Sequence, residues 1–163
     1  MDRSERVRIL ENNLSRLLGW VSAADSRIGL ILALDTAMLG SLAALAPRAS
    51  GWEVAPAIFS TLAGGALLTS LLLLSFASFP TTSGPRGSLI FFEGIASSET
   101  DAYLQSVNEL TEEQYLDDLA KQCHRNAEIA RKKFKWVRWS LSSLYLAVLP
   151  WALAVYLLYQ RRP

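Results

Sequence analysis

The chain has 163 residues, half of them hydrophobic, and a formal net charge of +1. Its one cysteine, Cys123, and one histidine, His124, exclude an internal disulfide, a multi-cysteine metal site and a histidine cage. The near-neutral total is silent about partners; the local distribution of charge and apolar residues carries the information.

Residues 4–27 read as an amphipathic helix. Val7, Leu10, Leu14, Leu17, Val21, Ala24 and Ile28 recur at steps of mainly three and four. This seam either packs on the protein's own cytosolic part or forms a self-associating stalk between protomers. Apolar blocks follow at Ile28–Ala46, Ala55–Phe79 and Leu141–Tyr159. Each approaches the roughly 20 residues needed to cross a bilayer, and Asp35 is the single charge in all three. A soluble helix of such length carries charge along one face. These blocks are therefore expected to be transmembrane helices, the first an uncleaved anchor because the charged N-terminus is unlike a signal peptide.

In the first span Gly29, Ala33, Ala37 and Ser41 lie four apart on one face. Small residues at this spacing let helices approach closely in lipid. Gly64 and Gly65 repeat the theme in the second span, each four residues from a Ser or Thr. Two uses are open, packing of the first two spans or packing between protomers. Asp35 lies nearly opposite Ala33 and Ala37. It either meets a Ser or Thr of another span or lines an oligomeric pore, because an ionisable group at that depth faces protein or water.

Residues 80–87 are loop by composition. Ser88–Phe92 is a short apolar run, a strand or an interfacial anchor. Ser97–Asn108 reads as a helix capped by Ser97 or Ser98. Thr111 and Gln114 make a capping-box pattern, opening a helix without Pro or Gly until Pro150, which is expected to kink the third span. Along it Tyr115, Leu119, Gln122, Asn126, Ala130, Phe134, Val137 and Leu141 form one seam.

Thirteen Lys/Arg fall in the N-terminal segment and in the segment between the second and third spans, against three elsewhere. The positive-inside rule then places both segments in the cytosol and the C-terminus outside. Trp20, Trp52, Trp136, Trp139 and Tyr159 flank the expected spans, as interfacial aromatics do. The fold class is an all-α membrane protein. Residues 1–27 form a cytosolic amphipathic helix, 28–79 a two-helix transmembrane hairpin, 80–140 a cytosolic helical insertion, and 141–163 the third span with a short tail.

Several stretches carry a resemblance: Ala24-Asp25-Ser26-Arg27, the run Ser88–Ala96, Tyr103, Glu109-Leu110-Thr111, Tyr115, Asp118–Gln122, Asn126 and Ile129-Ala130 with Lys133. In order and spacing they resemble the transmembrane effectors of the Pycsar antiphage system, related to small SLATT-type bacterial membrane proteins. The resemblance covers nearly the whole chain. It implies an effector held silent in the bacterial inner membrane; a homo-oligomer is expected. It further implies activation by a cyclic pyrimidine mononucleotide, cUMP or cCMP, made by a partner cyclase, and impairment of the membrane. It fixes no binding residue.

The residues themselves offer no enzyme. A phosphate-binding glycine loop, a metal-ligand cluster and a nucleophile–base pair are all lacking from the pattern, so no cofactor, metal or nucleic acid is expected. A cyclic mononucleotide needs a cation for its phosphate, amides for the base edge and an aromatic platform. Arg86, Arg125 and Lys133 are candidates for the phosphate, Gln122 and Asn126 for the base, and Tyr103, Tyr115 or Phe92 for stacking. Each has a structural alternative: lipid-facing charge for the lysines, seam register for the amides. A membrane scaffold that binds a protein, and a constitutive small channel, remain open beside the effector reading.

Overall fold

The computed structural model describes residues 2–48, 51–79, 84–85 and 87–160. Helices α1 (Arg3–Leu45), α2 (Val54–Ser78), α3 (Phe92–Ala96), α4 (Thr100–Asn108) and α5 (Glu112–Tyr159) follow in order, and the described residues contain no strand. α1 has 43 residues and α5 has 48, so at 1.5 Å per residue they run to roughly 65 and 72 Å. The hydrocarbon core of a bilayer is only about 30 Å thick. α1, α2 and α5 are each long and apolar enough to span it.

Local chemistry explains the helix ends. At the start of α5 the Thr111 hydroxyl accepts from the Gln114 amide, and the Gln114 side chain accepts from the Thr111 amide. The expected capping box is therefore formed, satisfying two backbone donors at the terminus. Pro56 lies in the first turn of α2, where its missing N–H is harmless. α5 continues through Pro150 to Tyr159.

Two expectations need correction. Ser88–Phe92 is not a strand; it bends, and Phe91 becomes the residue before α3. α4 starts at Thr100 rather than at Ser97, because the Ser97 and Ser98 hydroxyls turn back to the Gly94 carbonyl of α3.

The chain divides into two compact units. One, the insertion unit, combines Met1–Ala23 with Pro80–Lys132; the other, the span unit, combines Ala24–Phe79 with Lys133–Pro163. In the span unit the buried positions are Ala24, Ile28, Ile31, Asp35 and Leu42 of α1, and Pro56, Ala63, Leu67, Ser70, Leu74 and Ala77 of α2. α5 adds Val137, Ser140, Leu144, Ala147, Ala154 and Leu158. All three series step by three or four, with half-buried Met38, Phe59 and Trp151 filling the gaps. That repeat, averaging about 3.5 residues, keeps one seam of each helix facing its neighbours.

Gly29, Ala33 and Ala37 are on the exposed side of α1. Within the chain they do not pack the first two spans; the bulkier Ile28, Ile31, Met38 and Leu42 do. Gly65 is exposed and Gly64 half-buried, and a Cβ at Gly29, Gly64 or Gly65 would meet nothing within 4 Å.

The insertion unit is built differently. Val7, Leu10, Leu14, Leu17 and Val21 of α1 are half-buried. The Cys123 thiol donates to the Leu10 carbonyl (3.4 Å) and the Tyr115 hydroxyl to the Glu11 carboxylate (2.8 Å), joining α1 to α5 within this unit.

Candidate functional site

The insertion unit is organised around Ser88. Its hydroxyl donates to Asp118 Oδ2 (3.0 Å) and accepts from the backbone amide of Phe91 (3.0 Å) and from Gln122 Nε2 (2.9 Å). Asp118 Oδ2 also accepts from the Leu89 amide (2.9 Å), and the Tyr103 hydroxyl donates to the Leu89 carbonyl (3.2 Å). One turn of chain is thus fastened to α5 and α4 by side chains that satisfy its backbone. Two glycines are required for the fit. A Cβ at Gly94 would stand 2.3 Å from the Ser88 carbonyl oxygen, and one at Gly84 would stand 2.1 Å from the Phe91 ring.

Among the described residues, three cavities on this unit bear on ligand binding. The first, about 420 Å³, is lined by Ser88, Ser106, Glu109, Gln114, Asp117, Asp118 and Lys121, among others. Three carboxylates against one ammonium make it hostile to an anion. Asp117 bonds to Lys121 and holds that ammonium above its ordinary pKa. The second, about 390 Å³, is lined by Gly84, Pro85, Lys121, His124, Arg125 and Glu128, and Arg125 is paired with Glu128 at 3.1 Å. The third, also about 390 Å³, lies between α1 and α5 and is lined by Asn13, Arg16, Leu17, Trp20, Cys123, His124 and Ala127. Burial pushes the Cys123 thiol up from its ordinary pKa. Burial also raises the Tyr115 phenol, with the Glu11 carboxylate adding to the effect.

Of the four ligand candidates described in the insertion unit, Arg125 lines one of the three cavities and Tyr103, Gln122 and Asn126 line none of them. Arg86 lies outside the described residues. Gln122 is buried and spent on Ser88, and Asn126 donates to the Gln122 carbonyl at 2.9 Å. Tyr103 holds the Leu89 carbonyl. Arg125 borders the second cavity. Lys133 belongs to the span unit, where it pairs with Asp25. Of the other aromatics, Tyr115 is held by Glu11 and Phe92 is exposed. Sequence reasoning missed the role of Ser88 and Asp118, which a serine three residues ahead of Phe91 hints at. It also missed the α1 wall of the third cavity, where Asn13, Arg16 and Trp20 share a face at steps of three and four.

In the span unit Asp35 is fully buried. Ser70 donates to Asp35 Oδ2 at 2.7 Å, and the Ser70 and Ser140 hydroxyls are bonded at 2.9 Å. One residue from each of the three long helices therefore meets at a single polar point. Asp35 Oδ1 has no partner among the described residues. Of the two expectations for Asp35, the bond to a serine of another span is the arrangement seen. Further bonds tie the helices: Trp151 Nε1 donates to Ser41 Oγ at 2.8 Å and to the Met38 carbonyl at 3.1 Å, and Ser143 Oγ donates to the Ala66 carbonyl at 2.8 Å.

Three span-length helices, two of them shared with a polar helical unit, define a helical membrane protein whose chain also folds outside the spans. Residues 9–160 match the family model described as the Pycsar effector protein domain, and the chain belongs to that family of antiphage effectors. No curated protein and no solved structure matches it.

Proposed function

We propose that the protein is a non-enzymatic effector of the bacterial inner membrane, activated by cUMP or cCMP from a partner cyclase. The ligand binds the insertion unit, which is cytosolic together with the N-terminus, while the C-terminus lies outside. The active form is a homo-oligomer that impairs membrane integrity and so stops phage propagation. The carrying observation is the sharing of helices: α1 and α5 each contribute to both units without a break in the helix. Ligand energy spent on ordering the insertion unit therefore acts on two of the three spanning helices. It shifts the equilibrium only by as much as the ligand prefers the active arrangement. The membrane location is supported by the three apolar helices, and the ligand class by the family. The test is expression in bacteria, supply of cUMP or cCMP, and a membrane-potential dye. Depolarisation only with nucleotide is expected; none with either nucleotide would sink the reading.

A further inference from the structure

We infer that the groove between α1 and α5, walled by Asn13, Arg16, Leu17, Trp20 and His124, is the site of a ligand combining a planar heteroaromatic base with one phosphate charge. This rests on the nucleotide-activated reading above and gives that ligand, cUMP or cCMP, its place. The groove measures about 390 Å³, within the range of small-molecule sites.

Its chemistry differs from that of the two neighbouring cavities. The first is lined by Glu109, Asp117 and Asp118, which repel a phosphate. In the second, Lys121 and Arg125 are already paired with Asp117 and Glu128. The third has no carboxylate in its lining. Arg16 makes no ion pair among the described residues, so its guanidinium fork is available for two parallel bonds to phosphate oxygens. Trp20 is 57% exposed and belongs to the insertion unit, and its indole face is a stacking platform for a base. Asn13 offers a donor and an acceptor to a base edge, one helical turn from Arg16 and Leu17. His124 of α5 closes the opposite wall. A ligand here bridges the two helices that continue into the span unit, so binding changes how firmly α1 is held to α5.

The competing use of Trp20 is as a membrane-interface anchor, which a soluble ligand would not sense. The experiment is titration calorimetry of the full-length protein in detergent with cUMP and with cCMP. Wild type binds at least one of them. Arg16→Ala and Trp20→Ala each weaken that binding about tenfold or more, whereas Trp20→Phe, which keeps a ring, loses less. Glu109→Gln in the acidic cavity leaves affinity within about twofold. Arg16, Asn13 and Trp20 are exposed, so these substitutions leave the buried packing intact, which far-ultraviolet circular dichroism checks. Wild-type affinity in both Arg16→Ala and Trp20→Ala overturns the location and leaves the activation reading standing. Wild type that binds neither nucleotide overturns both.

Discussion

The two units are held together by opposite means. The span unit has an apolar seam on three helices, with one polar point where Asp35, Ser70 and Ser140 meet. Among its described hydrophobic residues the insertion unit buries Leu119 and Ala130 alone, and its fixed geometry comes from Ser88, Asp118 and Gln122 bonding to a single turn of chain. Burial of apolar area resists local change, whereas a hydrogen-bonded turn with little core opens at lower cost. The difference teaches where a switch can be placed in such a small protein. The part that must persist is the apolar seam; the part able to respond is the polar one.

The strongest way to break this contrast is Gly94→Ala. Its Cβ meets backbone at the Ser88 carbonyl, and overpacking against backbone costs about 3 kcal/mol. The insertion unit should become protease-sensitive around residues 88–110 while helicity in the span unit persists; equal loss in both units would remove the distinction. Next is Asp118→Ala, which leaves the Leu89 amide and the Ser88 hydroxyl without their acceptor. A loss of about 2 kcal/mol is expected, read as faster hydrogen exchange at Leu89. Ser70→Ala removes the link between Asp35 and Ser140 and should cost about 1 kcal/mol, the usual scale for hydrogen bonds between membrane helices. Thermal unfolding in detergent measures it, and protease sensitivity of the insertion unit should not change.

The smallest effect concerns pH. Tyr115 has its pKa raised above 10.0 in the folded protein, by burial and then by Glu11. A folded pKa above the unfolded one means that the contribution is complete below about pH 10 and is lost as the pH rises through the raised value. Lys121 is raised as well and acts in the same direction. The difference between wild type and Tyr115→Phe therefore isolates the phenol. Tyr115→Phe should lose about 0.5 kcal/mol at neutral pH, and that gap should close above pH 10.

The architecture was legible because its signals are long. Nineteen or more residues without charge, save Asp35, announce a span whatever the neighbours do. The capping box at Thr111 is equally local, two side chains acting on their own backbone. The α1 seam was readable as a period, and its partner became visible only when Leu10 and Glu11 were seen bonded to Cys123 and Tyr115 of α5. The site was less legible. Gln122 and Asn126 have the spacing of a base-reading pair; in the fold Gln122 bonds to Ser88 of a distant turn and Asn126 to the carbonyl of Gln122 in its own helix, neither of which the spacing reveals. Gly29, Ala33 and Ala37 form a stripe of the kind that packs helices in lipid, but alternate turns of bulkier residues fill the interface within the chain. Trp20 reads from the sequence as an interfacial aromatic near a span, and in the fold it also lines the third cavity. Its groove is made from residues more than a hundred positions apart in sequence.

The most direct measurement of the central claim, that a nucleotide held by the insertion unit acts on the membrane through the spanning helices, is dye release from sealed vesicles. Purified protein is reconstituted into vesicles loaded with a self-quenched dye, and cUMP or cCMP is added at the face that the insertion unit occupies. Release that requires nucleotide, and that Gly94→Ala abolishes while the protein stays inserted, is the predicted result. Release that proceeds equally without nucleotide, or that survives Gly94→Ala unchanged, would contradict the account.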